Sequence, residues 1–167
     1  MKAIKFLTLM LVAILGLTAC HDDDKDGHFY QWTYTGKNTV KVGSIEFEPV
    51  PMTCKVTKKN NGTLDVEMPE YQISGNPIGS LTIGAVTIKD IVYNPEKEAY
   101  YRMFGKDKLK ISLQSDGMMK LNGPYDFTED SDIEVKQTDN GATIVLDYSF
   151  ENMGMRVTST FEVVVPK

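Results

Sequence analysis

The feature that most constrains this chain is an alternation of apolar and polar residues in its last third. In the run 143–150 every even-numbered residue is apolar, and Asn140-Gly141 stands directly before it. Successive side chains of a β-strand point to opposite faces, so a period of two predicts a strand with one buried face and one wet face. Asn-Gly is a strong hairpin signal because both residues accept positive φ. Together with the similar runs 132–136 and 155–163, this pattern predicts a three-strand antiparallel meander.

The same period recurs through the rest of the chain, and there is hardly a helical pattern after residue 28. The further predicted strands are 30–42, 45–47, 53–57, 64–68, 81–91, 100–104, 109–113 and 118–121. About eight to ten strands at such short intervals favour a barrel or a sandwich. Parallel α/β folds are excluded because they need crossover helices.

Turn signals give the expected connections. Asn61-Gly62 predicts a hairpin between 53–57 and 64–68, and residues 105–108 predict another between 100–104 and 109–113. We expect a bend at Gly84 within 81–91. Gly123-Pro124 is expected to end the short strand before it. The segments 69–80, 94–99 and 122–131 are interpreted as loops because they carry Pro, Gly, Tyr and charged residues.

The N-terminus reads as an export signal. Lys2 and Lys5 form a positive start, and 6–17 is an apolar run too short to span a hydrocarbon core of about 30 Å. The site Leu17-Thr18-Ala19-Cys20 resembles the bacterial lipobox, which implies cleavage before Cys20 and lipid on its thiol. An ordinary secretory signal with an incidental cysteine is the alternative. The predicted organisation is a signal peptide at 1–19, a lipidated acidic linker at 20–28 and one β-domain at 29–167.

An acidic segment follows Cys20 directly and consists of Asp22, Asp23, Asp24 and Asp26. It resembles the signal that certain Gram-negative bacteria use to place lipoproteins on the outer face of the outer membrane. The spacing also resembles the start of a calcium loop, but the twelfth position, which needs a carboxylate, is Thr33. We therefore favour a solvated spacer and export signal. The expected location is the outer membrane, with the protein anchored by lipid and facing the cell exterior.

Charge and cysteine content exclude several classes of protein. The chain carries a net charge of −5, and removal of a leader that contains Lys2 and Lys5 makes it more negative. An acidic chain without a basic cluster is not expected to bind nucleic acid. If Cys20 is acylated, Cys54 has no partner for an intramolecular disulfide. We interpret Cys54 as a small core residue because it shares the apolar face of its strand.

The sequence offers little for catalysis, and we predict no enzyme, no cofactor and no metal site. The histidines after the signal peptide, His21 and His28, both lie in the predicted linker, whereas a catalytic triad needs a histidine on a rigid scaffold. Structural zinc needs four Cys or His ligands at tight spacing. A pair of carboxylates could support glycoside hydrolysis. The candidates by residue type are Glu67, Glu70, Asp90, Glu96, Asp126, Glu129 and Asp132, and on wet strand faces such residues are usually only solubilising.

Aromatic residues are the remaining candidates for a site. They crowd the start of the domain and the middle of the chain, and Trp32, Tyr34, Tyr100 and Tyr101 are the predicted ligand-binding residues. Exposed Trp and Tyr stack on sugar rings and apolar groups. The alternative is that Trp32 and Tyr34 plug one end of a barrel.

Several pieces of the sequence resemble the calycin-like lipoprotein domain family of Gram-negative gut bacteria. They are the acidic segment behind the lipobox, Tyr34-Thr35-Gly36, the turn-rich stretch 56–64, the segment 77–83 and the meander around Asn140-Gly141. The resemblance covers about residues 30–165. It implies an all-β fold, an antiparallel up-and-down β-barrel of about eight strands. Members of the family mostly lack an assigned biochemical activity, so the resemblance carries over no functional residues.

Two functions remain open. The first is a surface-anchored binding module that takes a small apolar or glycan-derived ligand at the mouth or interior of the barrel. The second is an accessory subunit or inhibitor that binds a surface protein through the loops 69–80, 94–99 and 122–131.

Overall fold

The structure is a computed structural model of the full chain. It describes residues 30–75, 79–115, 117, 120–138, 141–150, 153–154 and 156–163. The predicted signal peptide and linker, with Cys20 and the acidic segment, lie outside these residues.

Eight antiparallel strands form a closed barrel. In chain order they are β1 (Tyr30–Val42), β3 (Val50–Lys58), β4 (Leu64–Met68), β7 (Val86–Asn94), β8 (Ala99–Met103), β11 (Asp132–Thr138), β12 (Gly141–Ser149) and β13 (Arg156–Val163). Each strand pairs with the one before it in this series, and β13 returns to pair with β1 from Gly36↔Val163 to Val42↔Val157. The order is therefore up-and-down, as predicted. A short extra strand, β2 (Ile45–Glu46), pairs with the end of β1.

A second sheet is inserted into this barrel by two excursions of the chain. It consists of β5 (Tyr71–Gly75), β6 (Gly79–Ile83), β9 (Lys110–Ser115) and β10 (Asn122–Asp126), in the order β10-β9-β6-β5. We call it the cap sheet. The excursions leave the barrel after β4 and β8 and return at β7 and β11, so all four connections lie at the same end of the barrel.

One hydrophobic core joins the barrel and the cap sheet. The inward faces of the barrel strands are buried in the alternating pattern that the sequence shows, and Ile133, Val135, Ile144 and Leu146 confirm the predicted faces of the meander. Ile73, Leu81, Ile83 and Ile111 bury the apolar face of the cap sheet in the same core. Burial of apolar surface, worth about 25 cal/mol per Å², thus stabilises both sheets together.

The predicted hairpin between 100–104 and 109–113 is wrong. β8 pairs with β7 and β11, whereas β9 pairs with β6 and β10. The turn between them is held by another segment: the amide of Phe104 donates to Ser131 O, and that of Gly105 donates to Glu129 O. Buried Phe104 therefore directs the chain out of the barrel and into the cap sheet.

Two segments interpreted as loops contain strands instead. Residues 69–80 include β5 and the start of β6, and residues 122–131 include β10. Gly123-Pro124 lies inside β10 and does not end a strand. Pro124 lacks an N–H, and it is tolerated because β10 is an edge strand of the cap sheet. The predicted strand 118–121 is not formed at Leu121, and residues 118–119 lie outside the described residues.

A β-bulge interrupts β7 at Asp90. The register with β4 shifts between Leu64 and Val66, and Asp90 adopts a positive φ of 58°. Its amide donates to Asp65 Oδ1 over 2.9 Å. Lys59 Nζ lies 2.9 Å from Asp65 Oδ1 and 2.8 Å from Asp90 Oδ1. Such bulges bend a strand and re-aim its side chains, and this one keeps Ile91 directed into the core.

Candidate functional site

The two ends of the barrel differ. The turns β3–β4, β7–β8 and β11–β12 meet at one end, which we call the hairpin end. β1 begins there and β13 ends there. The connections to the cap sheet lie at the other, the cap end. This difference matters for binding, because only a partly exposed end of the barrel can receive a ligand without rearrangement.

Packed aromatic rings close the cap end. The ring centroid of Phe127 lies 4.7 Å from that of Tyr148 and 5.7 Å from those of Phe104 and Phe150. Tyr125 packs edge-on against Phe150 at 5.9 Å. Phe104, Phe127, Tyr148 and Phe150 are all buried. These separations and angles are typical of favourable aromatic pairs, so the cluster seals this end.

Side chains also fill the middle of the barrel. Val40, Cys54, Val66, Val135 and Ile144 are fully buried although they come from strands all around the barrel. A side chain that lined a water-sized void would keep some surface accessible to water. No water-sized void therefore borders these five side chains.

Burial confirms the interpretation of Cys54 as a core residue. It is a free, buried cysteine. Loss of hydration on burial raises the pKa of its thiol to about 12. A thiol of this kind stays protonated and is a poor nucleophile at neutral pH.

The hairpin end carries a group of partly exposed aromatic rings, which we call the aromatic rim. Its members are Tyr30, Trp32, Tyr34, Tyr93 and Tyr100. Tyr30 stacks on Trp32 with ring centroids 6.2 Å apart, and Tyr93 meets Tyr100 edge-on at 5.4 Å. Tyr30 is 67% exposed and Tyr93 50%, whereas the other three are partly buried against the core. The rim therefore lies between the packed interior of the barrel and the solvent.

A hydrogen bond closes the barrel beneath the rim. Gln137 Nε2 on β11 donates to Tyr34 Oη on β1 over 3.3 Å, and both groups are partly buried. Since β12 and β13 separate these two strands in the barrel, the bond crosses the interior. Tyr34 is therefore linked to the opposite wall of the barrel. The pair also leaves a neutral polar surface at the base of the rim.

The structure places three of the four predicted ligand-binding residues at the same end of the barrel. Trp32, Tyr34 and Tyr100 face inward at the hairpin end, where they pack on the core. Tyr101 lies on the outer face of β8, because neighbouring residues of a strand point to opposite sides. There its ring lies 4.4 Å from Lys97 Nζ, and its hydroxyl donates to Asp132 Oδ2 over 3.3 Å.

Sequence reasoning missed Tyr30, Tyr93 and Gln137 as members of this site. Tyr30, Trp32 and Tyr34 are alternate residues of β1 and therefore point to the same face. This alternation could have predicted Tyr30 as a member of the site. Tyr93 faces inward only because the bulge at Asp90 shifts the phase of β7. Gln137 reaches the rim through the pairing of distant strands, which no local pattern encodes.

Three of the candidate carboxylates, Asp90, Asp126 and Asp132, take part in ion pairs or hydrogen bonds. Asp132 lies directly opposite Asp147, and partial burial raises its pKa. Asp147 in turn accepts a hydrogen bond from Arg156 Nε at 2.7 Å. Lys59 holds the pKa of Asp90 below its usual range. These contacts explain the residues as surface electrostatics, which is worth about 0–1 kcal/mol per exposed pair.

Within the part of the chain that the structure describes, no three His, Cys, Asp or Glu side chains converge as metal ligands would. His21 and His28 lie outside the described residues. Over the same residues no helix is long and apolar enough to cross a bilayer.

The closed eight-stranded antiparallel barrel defines a calycin-type fold, a class that generally binds other molecules and does not catalyse reactions. The family description "Calycin-like beta-barrel domain" matches residues 31–162. The chain therefore belongs to the calycin-like β-barrel domain family. Comparison with curated proteins and with solved structures gave no match.

Proposed function

We propose that this chain is a surface-anchored lipoprotein whose barrel is a binding module, and that the aromatic rim takes a small apolar or glycan-derived ligand. The observation that carries the proposal is the rim itself. Tyr30, Trp32, Tyr93 and Tyr100 present partly exposed rings on a barrel whose middle and cap end are filled. A ligand is therefore expected to lie across the hairpin end and not deep within the middle of the barrel.

The chemistry of the rim favours a neutral, flat ligand. Aromatic rings stack on apolar groups and on the C–H faces of sugars, and a pair of aromatic rings gains about 0.5–1.5 kcal/mol beyond its buried area. The Tyr34 hydroxyl and the Gln137 amide supply neutral hydrogen-bonding groups beneath the rings. An ionised ligand would gain no charged partner from the five residues that define the rim.

Fluorescence of Trp32 tests this proposal because it is the only tryptophan in the chain. The purified full-length chain is titrated with simple sugars, oligosaccharides and small apolar molecules. We expect a saturable shift in Trp32 emission with at least one of these classes. The substitution Tyr93→Ala should weaken binding about tenfold, which corresponds to a loss of about 1.4 kcal/mol.

Val92→Ala is the matched control. Val92 neighbours Tyr93 and is 57% exposed, but it points to the outer wall of β7. It should leave the affinity unchanged. An equal loss with Val92→Ala, or no saturable change of Trp32 emission with any probe, would contradict binding at the rim.

The location needs separate tests. We propose that Cys20 carries lipid because Leu17-Thr18-Ala19-Cys20 resembles the bacterial lipobox. Two or more acyl chains hold a protein stably on a membrane, whereas one is marginal. Mass spectrometry should find the acylated cysteine as the first residue of the mature chain, and Cys20→Ala should abolish the modification.

Replacing Asp22, Asp23, Asp24 and Asp26 by Asn tests the proposed export signal. This variant should retain the lipid but should no longer be cleaved by protease added to intact cells. Continued surface cleavage of that variant would contradict the export role.

The alternative is an accessory subunit or inhibitor that binds a surface protein through barrel-end loops. The fold supports it less. Most of 69–80 and 122–131 belongs to cap-sheet strands or packs against the barrel, and only 94–99 remains a barrel-end turn. Surface cross-linking that captured one partner through 94–99, without any small-molecule response at Trp32, would favour this alternative.

A further inference from the structure

Two polar side chains lie in the interior of the barrel between the rim and the cap-end aromatic cluster. Asn38 on β1 and Ser159 on β13 are both 0% exposed and point inward among apolar neighbours such as Val40, Leu146 and Phe161. Burying a polar group is costly unless it is hydrogen-bonded.

One hydrogen-bond donor of this pair, Asn38 Nδ2, is unused. Ser159 Oγ donates to Asn38 Oδ1 over 2.8 Å. Tyr71 Oη donates to Ser159 Oγ over 3.4 Å, which is longer than the usual separation of about 2.7–2.8 Å between hydroxyl oxygens. Among the described residues, Asn38 Nδ2 makes no hydrogen bond of normal geometry. Burial raises the pKa of the Tyr71 hydroxyl, and the nearby Asn38 amide offsets only part of that rise. The cluster thus has more hydrogen-bonding capacity than Tyr71 uses.

Tyr71 is the member of this cluster that does not belong to a barrel strand. It starts β5 of the cap sheet, and its ring is partly exposed although its hydroxyl reaches the buried Ser159. Tyr148 on β12 adds a second hydroxyl next to that of Tyr71. The ring of Tyr71 therefore lies between solvent and the buried polar groups.

We propose that Asn38, Ser159 and Tyr148 form a second binding site, for a neutral flat molecule with a hydroxyl or carbonyl oxygen, and that the Tyr71 ring occupies this site in the unliganded barrel. The Tyr71 ring indicates the size and shape of a guest molecule that would fit the site. Asn38 Nδ2 offers the donor that a guest oxygen would accept from. The three groups are uncharged, so an ionised guest would have to leave water without a compensating charge. This site is distinct from the aromatic rim and does not depend on binding there.

A pair of probes that differ in one oxygen tests the site. p-Cresol has the structure of the tyrosine side chain, and toluene lacks its hydroxyl. Their binding to the full-length chain and to Tyr71→Ala is measured from the rise in melting temperature with probe concentration. We expect Tyr71→Ala to bind p-cresol about tenfold more tightly than toluene. The wild-type chain should bind p-cresol saturably but more weakly, because the guest has to displace the Tyr71 ring.

Variants at the two sites show where the probe lies. Asn38→Leu, combined with Tyr71→Ala, keeps the size of the side chain but removes the donor, and it should bring the preference for p-cresol over toluene close to one. Tyr93→Ala at the rim, combined with Tyr71→Ala, should leave that preference unchanged. The proposal is overturned if p-cresol and toluene bind equally to Tyr71→Ala, or if Asn38→Leu leaves the preference intact. Should Tyr71→Ala not fold, absence of saturable p-cresol binding by the wild-type chain overturns it as well.

Discussion

At the scale of single residues, Cys54 shows how position in the fold determines reactivity. Cys54 lies on β3, between β1 and β4 in the sheet, and its side chain is fully buried in the core. Burial raises the pKa of its thiol to about 12. We predict that the folded chain does not react with Ellman's reagent at pH 8 over hours. The same chain should react within minutes in guanidinium chloride, because unfolding exposes the thiol and restores its usual pKa. Rapid reaction of the folded protein at Cys54 would contradict the packing.

The raised pKa of Cys54 also predicts a pH dependence of stability. In the unfolded chain the thiol titrates near its ordinary value of about 8.5. Above that pH the unfolded chain releases a proton that the folded chain retains, so stability falls as pH rises toward 12. Between pH 9 and 11 the wild type should lose about 1.4 kcal/mol per pH unit more than Cys54→Ala. Urea unfolding of both chains measures the difference, and parallel pH profiles would refute it.

Asp90 carries backbone strain in addition to charge. Its φ of 58° lies in the left-handed region, where a β-branched side chain costs about 1–2 kcal/mol. We predict that Asp90→Val destabilises the fold by about this amount, whereas Asp90→Asn, which tolerates positive φ, loses only the ion pair with Lys59. Urea unfolding compares the two variants. Equal losses of stability in the two variants would mean that the charge of Asp90, and not its backbone conformation, accounts for the effect of substitution.

At the scale of elements, the closing seam between β1 and β13 depends on a single glycine. A Cβ at Gly36 would overlap the carbonyl oxygen of Glu162 in the paired strand. We predict that Gly36→Ala costs about 3 kcal/mol, because backbone cannot move aside as a side chain can. Gly75→Ala is the control, since its Cβ would meet only the Phe47 ring, at 3.2 Å. Hydrogen exchange should show faster opening of seam amides in Gly36→Ala, and an unaltered seam would contradict the prediction.

The strands and their faces follow from the sequence much better than their partners do. The period of two along 132–138 and 141–149 is imposed locally by the pleat, so it can be read directly from the residues. The separation of β8 from β9 depends on Phe104 and on backbone contacts with residues 129–131, which are distant along the chain. The same limit applies to the site. Trp32 and Tyr34 share a face by parity, whereas the contribution of Gln137 depends on how the barrel closes.

At the scale of the whole molecule, the shared core predicts that barrel and cap sheet unfold as one unit. Phe127 lies in the cap-end aromatic cluster, whereas Trp32 lies at the hairpin end. We predict that Phe127→Ala lowers the stability reported by Trp32 fluorescence by about 3–5 kcal/mol, equal to the loss reported by far-ultraviolet circular dichroism. Separate transitions for the two probes would show that the cap sheet opens independently.

The position at which β1 begins limits the distance between the aromatic rim and a lipid anchor on Cys20. β1 leaves the hairpin end at Tyr30, only ten residues after Cys20. A chain of that length spans at most about 36 Å when fully extended. If Cys20 carries the lipid, the tether emerges beside the aromatic rim, and the rim stands within that distance of the bilayer surface. A molecule that leaves that bilayer would then have a shorter path to the rim than one that arrives from the medium.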